Sequence, residues 1–361
     1  MADPTRRTLL AAAAMGAAAA PANAWGFTVP AIDGGALAPI PLVDCPAGIS
    51  PARASARAEP ERLALLIRQA GRLYTRPGLR LADARTRAWA SGIASPYAAE
   101  IRDLAADLGR PGAFLLNYSY EWGCTAGAAP GPHGGAMLLR TLDWPFDGLG
   151  HALIVVRRQS EVGPYLSATW PGVAGVLTGL APGRFAAAIN QPPLPLPGWG
   201  RPFGWLAARW LADRSRAMPP DHLLRLAFET AADFASAVAL IRRTPLCMPA
   251  IFTLAGPNPG EAMVIERDRD AAHVAPTPFA ANHWAAAGSP PGRPRNHSSH
   301  ARRQAMAALA GQLPSWSLAW VRAPILQPDT RLAMMADPAS GRLLLQGWER
   351  SGPATAVFDL R

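Results

Sequence analysis

The chain contains no lysine: all 35 of its basic side chains are arginine, set against 25 acidic ones, for a formal net charge of +10. A balance this basic raises nucleic acid or an anionic membrane as partners. What is missing argues against both as the meaning of the charge. No window holds five or more basic residues in a row, and no helical pattern carries a basic stripe, which leaves the arginines scattered. Beyond the first 24 residues no stretch reaches eighteen uninterrupted apolar positions, so no helical bilayer span is expected there. Internal repeats are absent. Cysteine is scarce: Cys45, Cys124 and Cys247 are the whole set, and an odd number leaves one thiol over wherever disulfides form. His283, His297 and His300 fall in and after one loop, without carboxylate or cysteine partners at ligand spacing. That weighs against a metal and for loop or pocket-rim positions.

What is present begins with an address. Arg6-Arg7, a weakly apolar Ala/Leu run and Ala22-Asn23-Ala24 before Trp25 make residues 1–24 a twin-arginine export signal with a cleavage site, so the mature protein is expected in the periplasm or secreted. The 361 residues, half of them apolar, suffice for one long domain or two short ones. Residues 25–58 read as an extended, Pro/Ala-rich lead-in. Apolar residues at three- and four-residue spacing then predict helices over Leu63–Tyr74 and Tyr97–Leu108. AFLLNYSYEW (113–122) reads as a strand, and so do the segments that follow it, from AMLLRTLDW to RFAAAIN, set off by Gly/Pro turns. The Pro/Gly loop 191–204 lacks the spacing of a phosphate loop. Helices are expected at 203–213, 221–230, 233–243 and around 299–312. Strands are expected at 250–256 and 261–268 and in a terminal hairpin plus one last strand. The order helices, strands, helices, strands implies layered sheets with helices on both sides.

Gly123-Cys124-Thr125 is the focus of the chemistry. A thiol needs an activator to attack an amide, ordinarily a histidine or a helix N-terminus, and only His133 lies near in sequence. A cysteine at a new N-terminus carries its own base, an α-amine of pKa roughly 8. Self-cleavage before Cys124 would expose it. Arg140 would then favour thiolate and Asp143 would hold the amine. Being three apart, the two face opposite sides of a regular strand, so both reach Cys124 only if the strand bends or ends near Pro145. Each residue also has a plain structural reading: a lone buried cysteine is a small apolar residue, and a nearby Arg/Asp pair is a salt bridge.

Taken together, NYSYEWGCT (117–125), LLRTLDW (138–144), WPGVAGVLTGLAPGRFAAAIN (170–190), RTPLCMPAIFTLAGPNPGEAMVIERD (243–268) and ANHW (281–284) resemble the acid ceramidase and N-acylethanolamine acid amidase family of N-terminal-nucleophile cysteine hydrolases. That family is itself related to bile-salt hydrolases and the penicillin acyltransferase. The resemblance implies an α+β fold, an αββα four-layer sandwich. It implies cleavage into an α chain (25–123) and a β chain (124–361). It implies Cys124 as nucleophile, Arg140 and Asp143 as its supports, Asn282 in the oxyanion hole, Asn190 as a further site residue, and a β-chain arginine, Arg302 with Arg295 as rival. It implies no cofactor and no metal. The substrate would be a small N-acyl amide, ceramide- or N-acylethanolamine-like, with room for transient membrane-lipid contact and no nucleic acid. Gln191 departs from the glutamate that relatives often carry there. If Cys124 is the nucleophile, Cys45 and Cys247 are left to pair. Trp144, Trp170, Trp205 and Trp210 are candidates for an acyl pocket or for the core. Acyl transfer, and a non-catalytic lipid- or peptidoglycan-binding role, stay open as rivals.

Overall fold

In the computed structural model the described residues are 36–120, 122–195, 214–295, 298–310 and 316–361. The export signal, the helix expected at 203–213 with Trp205 and Trp210, and His297 lie outside them.

The first part of the chain carries strand β1 (Leu42–Cys45) and a helical cap. Proline sets the helix starts there, because a first turn leaves its N–H groups free anyway. Ser50 caps α1 (Pro51–Ala58) by accepting the Arg53 N–H, and Pro60 opens α2 (Pro60–Leu73). Thr75 caps α3 (Arg76–Ala90), and α4 (Ala98–Leu108) stops at Gly109 with φ 58. Two of these differ from the sequence reading. Residues 51–58 are helical rather than extended, and α3 was passed over, although Ser50-Pro51 and Thr75 with Pro77 are helix-start signals.

A third difference bears on the site. The run 113–122 does not form the strand expected of it but α5 (Ala113–Tyr118), followed by a short connection. Asp83 Oδ1 of α3 accepts the N–H groups of Phe114 and Leu115 at 3.0 and 3.2 Å. Asn117 Nδ2 donates to Ala113 O and to Gly172 O, both at 2.9 Å. Short apolar runs lack a decisive period, and these tertiary partners decide for helix. In the connection Tyr120 is held at φ 50, a strained value for an aromatic residue.

The remaining elements are β2 (Gly123–Pro130), β3 (Ala136–Asp143), β4 (Ile154–Ser160), β5 (Gly163–Thr169), β6 (Thr178–Ala181), β7 (Phe185–Asn190), β8 (Leu194–Pro195), α6 (Pro220–Thr230), α7 (Phe234–Arg243), β9 (Ala250–Ala255), β10 (Ala262–Arg267), β11 (Ala272–Val274), β12 (Phe279–Ala280), β13 (Gly292–Arg293), α8 (Ser299–Leu309), β14 (Thr330–Asp337), β15 (Arg342–Glu349), β16 (Gly352–Pro353) and β17 (Phe358–Leu360). One sheet runs β1-β4-β5-β6-β7-β9-β10-β11 and is antiparallel except for the parallel edge pair β1–β4. The other runs β12-β2-β3-β14-β15-β16, with β17 also on β15, and β8 pairs β13 apart from both.

The two sheets stack through one apolar cluster that joins Leu138, Leu142 and Met334 to Leu166, Ala186 and Ala188. On the outside of the first sheet, Phe228 of α6 stacks on Phe185 and Tyr165 with ring centroids 4.8 and 5.4 Å apart. Outside the second, Met306 of α8 packs with Leu139, Phe279 and Met335. Gly127 makes that packing possible, since a Cβ there would stand 2.6 Å from Phe279 and 2.8 Å from Met306. Helix, sheet, sheet, helix is the αββα sandwich of the α+β class.

A buried ionic knot fastens the helical cap to the sandwich. Arg225 of α6 donates to Glu100 (2.7 Å), Glu229 (2.8 Å) and the Ala174 carbonyl (2.8 Å), and its guanidinium lies 3.8 Å from the Tyr97 ring centroid. Glu100 in turn accepts the Ala52 N–H at 2.8 Å. Cys45 and Cys247 do not pair. Both are buried thiols in separate apolar clusters, Cys45 packing with Val43, Ile154 and Val156.

Candidate active site around Cys124

Cys124 is the second residue of β2 and is fully buried in the continuous chain. In the β2–β3 ladder Cys124 faces Leu142, Ala126 faces Arg140, and Gly123 faces Asp143. Paired residues of an antiparallel ladder share a face and alternate along the strand. Cys124 and Arg140 therefore lie on the side of the opposite sheet, while Asp143 lies on the side of α8. The expectation that the strand must bend or end between 140 and 143 is not met. β3 runs through Asp143, and the two side chains serve opposite faces of one backbone.

On the inter-sheet face, Arg140 is fully buried and donates through Nη1 to Asn190 Oδ1 and through Nη2 to the Ile189 carbonyl at 2.8 Å. These are neutral oxygens, so its charge is left to act on its neighbour. The Cys124 thiol donates weakly to the same Ile189 carbonyl at 3.7 Å. Burial pushes this thiol up to about 11, outweighing the pull of Arg140. In this setting it is a neutral thiol. Asn190 Nδ2 donates to the Ala281 carbonyl at 3.0 Å, fastening the end of β7 to the segment before Asn282.

On the other face, Arg302 comes from the first turn of α8. Its Nη1 donates to the Cys124 carbonyl at 2.5 Å and to Thr125 Oγ1 at 2.8 Å, and its Nη2 donates to Asn282 Oδ1 at 2.9 Å. Asp143 Oδ2 lies 3.6 Å from Arg302 Nη1 and accepts no hydrogen bond, whereas Oδ1 accepts from Thr330 at 2.7 Å. Desolvation pushes the Asp143 carboxyl up, with Arg302 and Thr330 pulling the other way. Asn282 Oδ1 also accepts the backbone N–H of Cys124 at 2.9 Å. Two donors converging on that atom fix the amide's orientation, with oxygen toward Cys124 and Nδ2 toward the Gln191 carbonyl at 2.9 Å. Asn282 thus grips the nitrogen of Cys124. Arg295 stands farther out, its Nε on the Pro192 carbonyl at 2.9 Å.

All six residues singled out from the sequence, Cys124, Arg140, Asp143, Asn190, Asn282 and Arg302, meet here. The sequence reading missed Thr330, which holds Asp143, and Ser299, whose Oγ accepts the Asn282 N–H at 2.9 Å. It also missed a second layer under the 119–123 connection. The Tyr120 hydroxyl donates to Asp221 at 2.7 Å, and burial pushes Asp221 up to about 7. Thr330, Ser299 and Asp221 carry no motif, whereas Tyr120 lies within the NYSYEWGCT stretch. His283 is buried on Ser299 and stacks against the exposed His300 with ring centroids 3.8 Å apart. Among the described residues no group of three metal-binding side chains forms. Trp144 packs at a tilt against Trp122, ring centroids 5.2 Å apart, and lines a narrow apolar groove with Leu66, Tyr74, Leu116 and Phe146. Trp170 is a core residue, its indole N–H on the Leu149 carbonyl at 2.8 Å.

No protein-family model matches the chain. An N-acylethanolamine-hydrolyzing acid amidase from Oryctolagus cuniculus is 30% identical over 186 residues, 48% of this chain and 48% of that protein. An acid ceramidase from Pan troglodytes is 31% identical over 106 residues, 29% of this chain and 25% of that one. The chain spans about half the length of the amidases it matches. A solved Caenorhabditis elegans N-acylethanolamine-hydrolyzing acid amidase ortholog aligns with a TM-score of 0.47 at 20% identity, over 66% of this chain and all of that one. By sequence, then, this chain is a relative of the N-acylethanolamine-hydrolyzing acid amidases and the acid ceramidases.

Proposed function

We propose that the protein is an exported, self-processing cysteine amidohydrolase that cleaves linear N-acyl amides of the ceramide or N-acylethanolamine type through a thioester acyl-enzyme. The observation that carries this reading is the grip on both ends of one residue. The Cys124 sulfur and Arg140 meet at the Ile189 carbonyl, Asn282 accepts the Cys124 N–H, and Arg302, on the Cys124 carbonyl, links Asn282 to Asp143.

Maturation uses that grip first. The Cys124 sulfur attacks the Gly123 carbonyl carbon, the Gly123–Cys124 C–N bond breaks, and the leaving nitrogen takes a proton. Water then hydrolyses the resulting thioester, freeing the Gly123 carboxylate and the Cys124 thiol and amine. The α chain is then 25–123 and the β chain 124–361. In turnover the free α-amine accepts the thiol proton. Arg140 stabilises the thiolate that attacks the substrate carbonyl, and the proton passes to the departing amine. Water resolves the acyl-enzyme. Asp143 Oδ2, buried and without a hydrogen bond in the continuous chain, would accept a proton of the new amine. In the continuous chain the Nδ2 groups of Asn190 and Asn282 are held on the Ala281 and Gln191 carbonyls; a donor that either turned to the developing oxyanion in turnover would be worth on the order of a hundredfold in rate.

Mass spectrometry of the purified protein and of Cys124→Ala tests this. Two fragments divided at 123/124, absent from the variant, are expected, with an acyl adduct on the second fragment after incubation with a fatty-acyl amide. A single intact chain in both preparations would refute self-processing.

A further inference from the structure

Asn282 is anchored through every polar atom it has. Its side chain accepts from Cys124 and Arg302 and donates to the Gln191 carbonyl. Its carbonyl accepts the Arg295 N–H at 3.0 Å. Its own N–H ends on Ser299 Oγ at 2.9 Å. Ser299 opens α8, one turn ahead of Arg302, so a single helical turn holds Asn282 at its backbone and at its Oδ1. Serine at a helix start usually accepts an N–H of its own first turn. Among the described residues Ser299 Oγ bonds nothing in α8, and its partners are Asn282 and His283.

A hydroxyl has one hydrogen. With the Ser299 oxygen accepting from Asn282, that hydrogen needs an acceptor of its own. Among the described residues the one in reach is His283 Nδ1, 2.7 Å away. His283 is therefore assigned as the neutral tautomer, bare at Nδ1 and protonated at Nε2. Its surroundings favour that form. The ring is 6% exposed, and burial pushes it down to about 4, with His300, Arg303 and Arg302 of α8 acting in the same sense. The His300 ring lies over it, centroids 3.8 Å apart. In a chain from N–H to hydroxyl to ring nitrogen each bond polarises the next, so the middle oxygen becomes a better acceptor. Without Nδ1 the serine hydrogen is free to swing toward Asn282 and set two donors against each other.

We propose that His283 is a positioning residue of the amidase site. By taking the Ser299 hydrogen it fixes that oxygen as the acceptor of the Asn282 N–H, and so holds Asn282 Oδ1 where it meets the Cys124 nitrogen. This rests on the amidase reading, in which Asn282 serves both self-cleavage and turnover. His283 acts on Asn282 through Ser299. A misplacement of about 1 Å in such a group is enough to cost much of the rate.

The test compares full-length variants with the parent. H283F keeps a ring against His300 and has no acceptor. H283N puts an amide oxygen in the place of Nδ1. S299A and H283F/S299A complete the cycle. Two rates are read: conversion to the fragments divided at 123/124, on gels, and hydrolysis of a fatty-acyl amide of a fluorescent amine by the matured fraction. H283F should slow both about fivefold and S299A about tenfold, with KM unchanged. The double variant should be no slower than S299A, and H283N should recover most of the loss. Losses that multiply in the double variant would show His283 acting apart from Ser299, and would overturn the proposal. So would H283N as slow as H283F, or a raised KM with kcat intact. Circular dichroism checks the fold, and if H283F does not fold, H283L takes its place in the same cycle. A parent that stays one chain refutes the amidase reading and this inference with it, whereas a parent that matures beside an equally fast H283F refutes this inference alone.

Discussion

Asp221 and His222 begin α6 side by side, both fully dehydrated, and they titrate in opposite senses. Burial pushes Asp221 from its ordinary 3.8 up to about 7 and His222 from 6.5 down to about 3. The raised acid contributes stability that is complete below pH 3.8 and is lost as pH climbs through about 7. The depressed base contributes stability that is complete above pH 6.5 and is lost as pH falls toward about 3. At pH 5, relative to pH 8, the acid adds about 3 kcal/mol and the base removes about 2. The pair is nearly silent because the folded form holds one proton on the aspartic acid while the unfolded form holds one on the histidine. Asp221→Asn breaks the balance. Asparagine keeps an oxygen for the Tyr120 hydroxyl, now 2.7 Å from Asp221, but it cannot release a proton. In a Cys124→Ala background, where every molecule is one chain, guanidinium unfolding at pH 5 and pH 8 reads the effect directly. The asparagine variant should lose about 3 kcal/mol more against its parent at pH 5 than at pH 8. Parallel pH curves for the two chains would show that Asp221 is an ordinary ionised carboxylate in the fold and would refute the reasoning.

Tyr120→Phe removes the bond that holds a strained residue just upstream of the junction. Conversion to two fragments, followed on gels, should slow about tenfold, while circular dichroism stays unchanged. Thr330→Val leaves Asp143 Oδ1 without its donor, and a drop of about tenfold in amide hydrolysis is expected, with Thr330→Ser recovering most of it. Arg225→Met strands Glu100 and Glu229 in the buried knot, and chemical denaturation should show a loss of about 3–5 kcal/mol. Asn282→Ala should slow fragment formation more than Arg295→Ala does, since Asn282 alone of the two side chains bonds the Cys124 nitrogen.

What the sequence conveyed divides along a physical line. Period and punctuation revealed the long elements: Leu63 to Tyr74 spaced for a helix, the terminal hairpin around Asp337-Pro338-Ala339-Ser340-Gly341, and the alternation that leads to two sheets. They failed at Ala113–Tyr118, where aromatic composition argued for a strand and Asp83 and Asn117 made a helix. The chemistry-bearing residues stood out by type and spacing, and the fold brings all six together. The missing members, Thr330 and Ser299, are ordinary hydroxyl residues distant in sequence that matter to the site through one bond each, to Asp143 and to the Asn282 N–H.

The parallel strand at the margin of the larger sheet has one more implication. β1 precedes the 123/124 junction and β4 follows it, so the ladder from Leu42–Val155 to Cys45–Arg158 bridges whatever is severed between them. A downstream piece produced by itself would present β4 as a raw border of unsatisfied amides and carbonyls beside Ile154 and Val156, ready to zip onto its own copies. Recombinant 124–361 should therefore precipitate where the intact gene product stays in solution, which makes birth as a single polypeptide a requirement of handling and not merely of genetics.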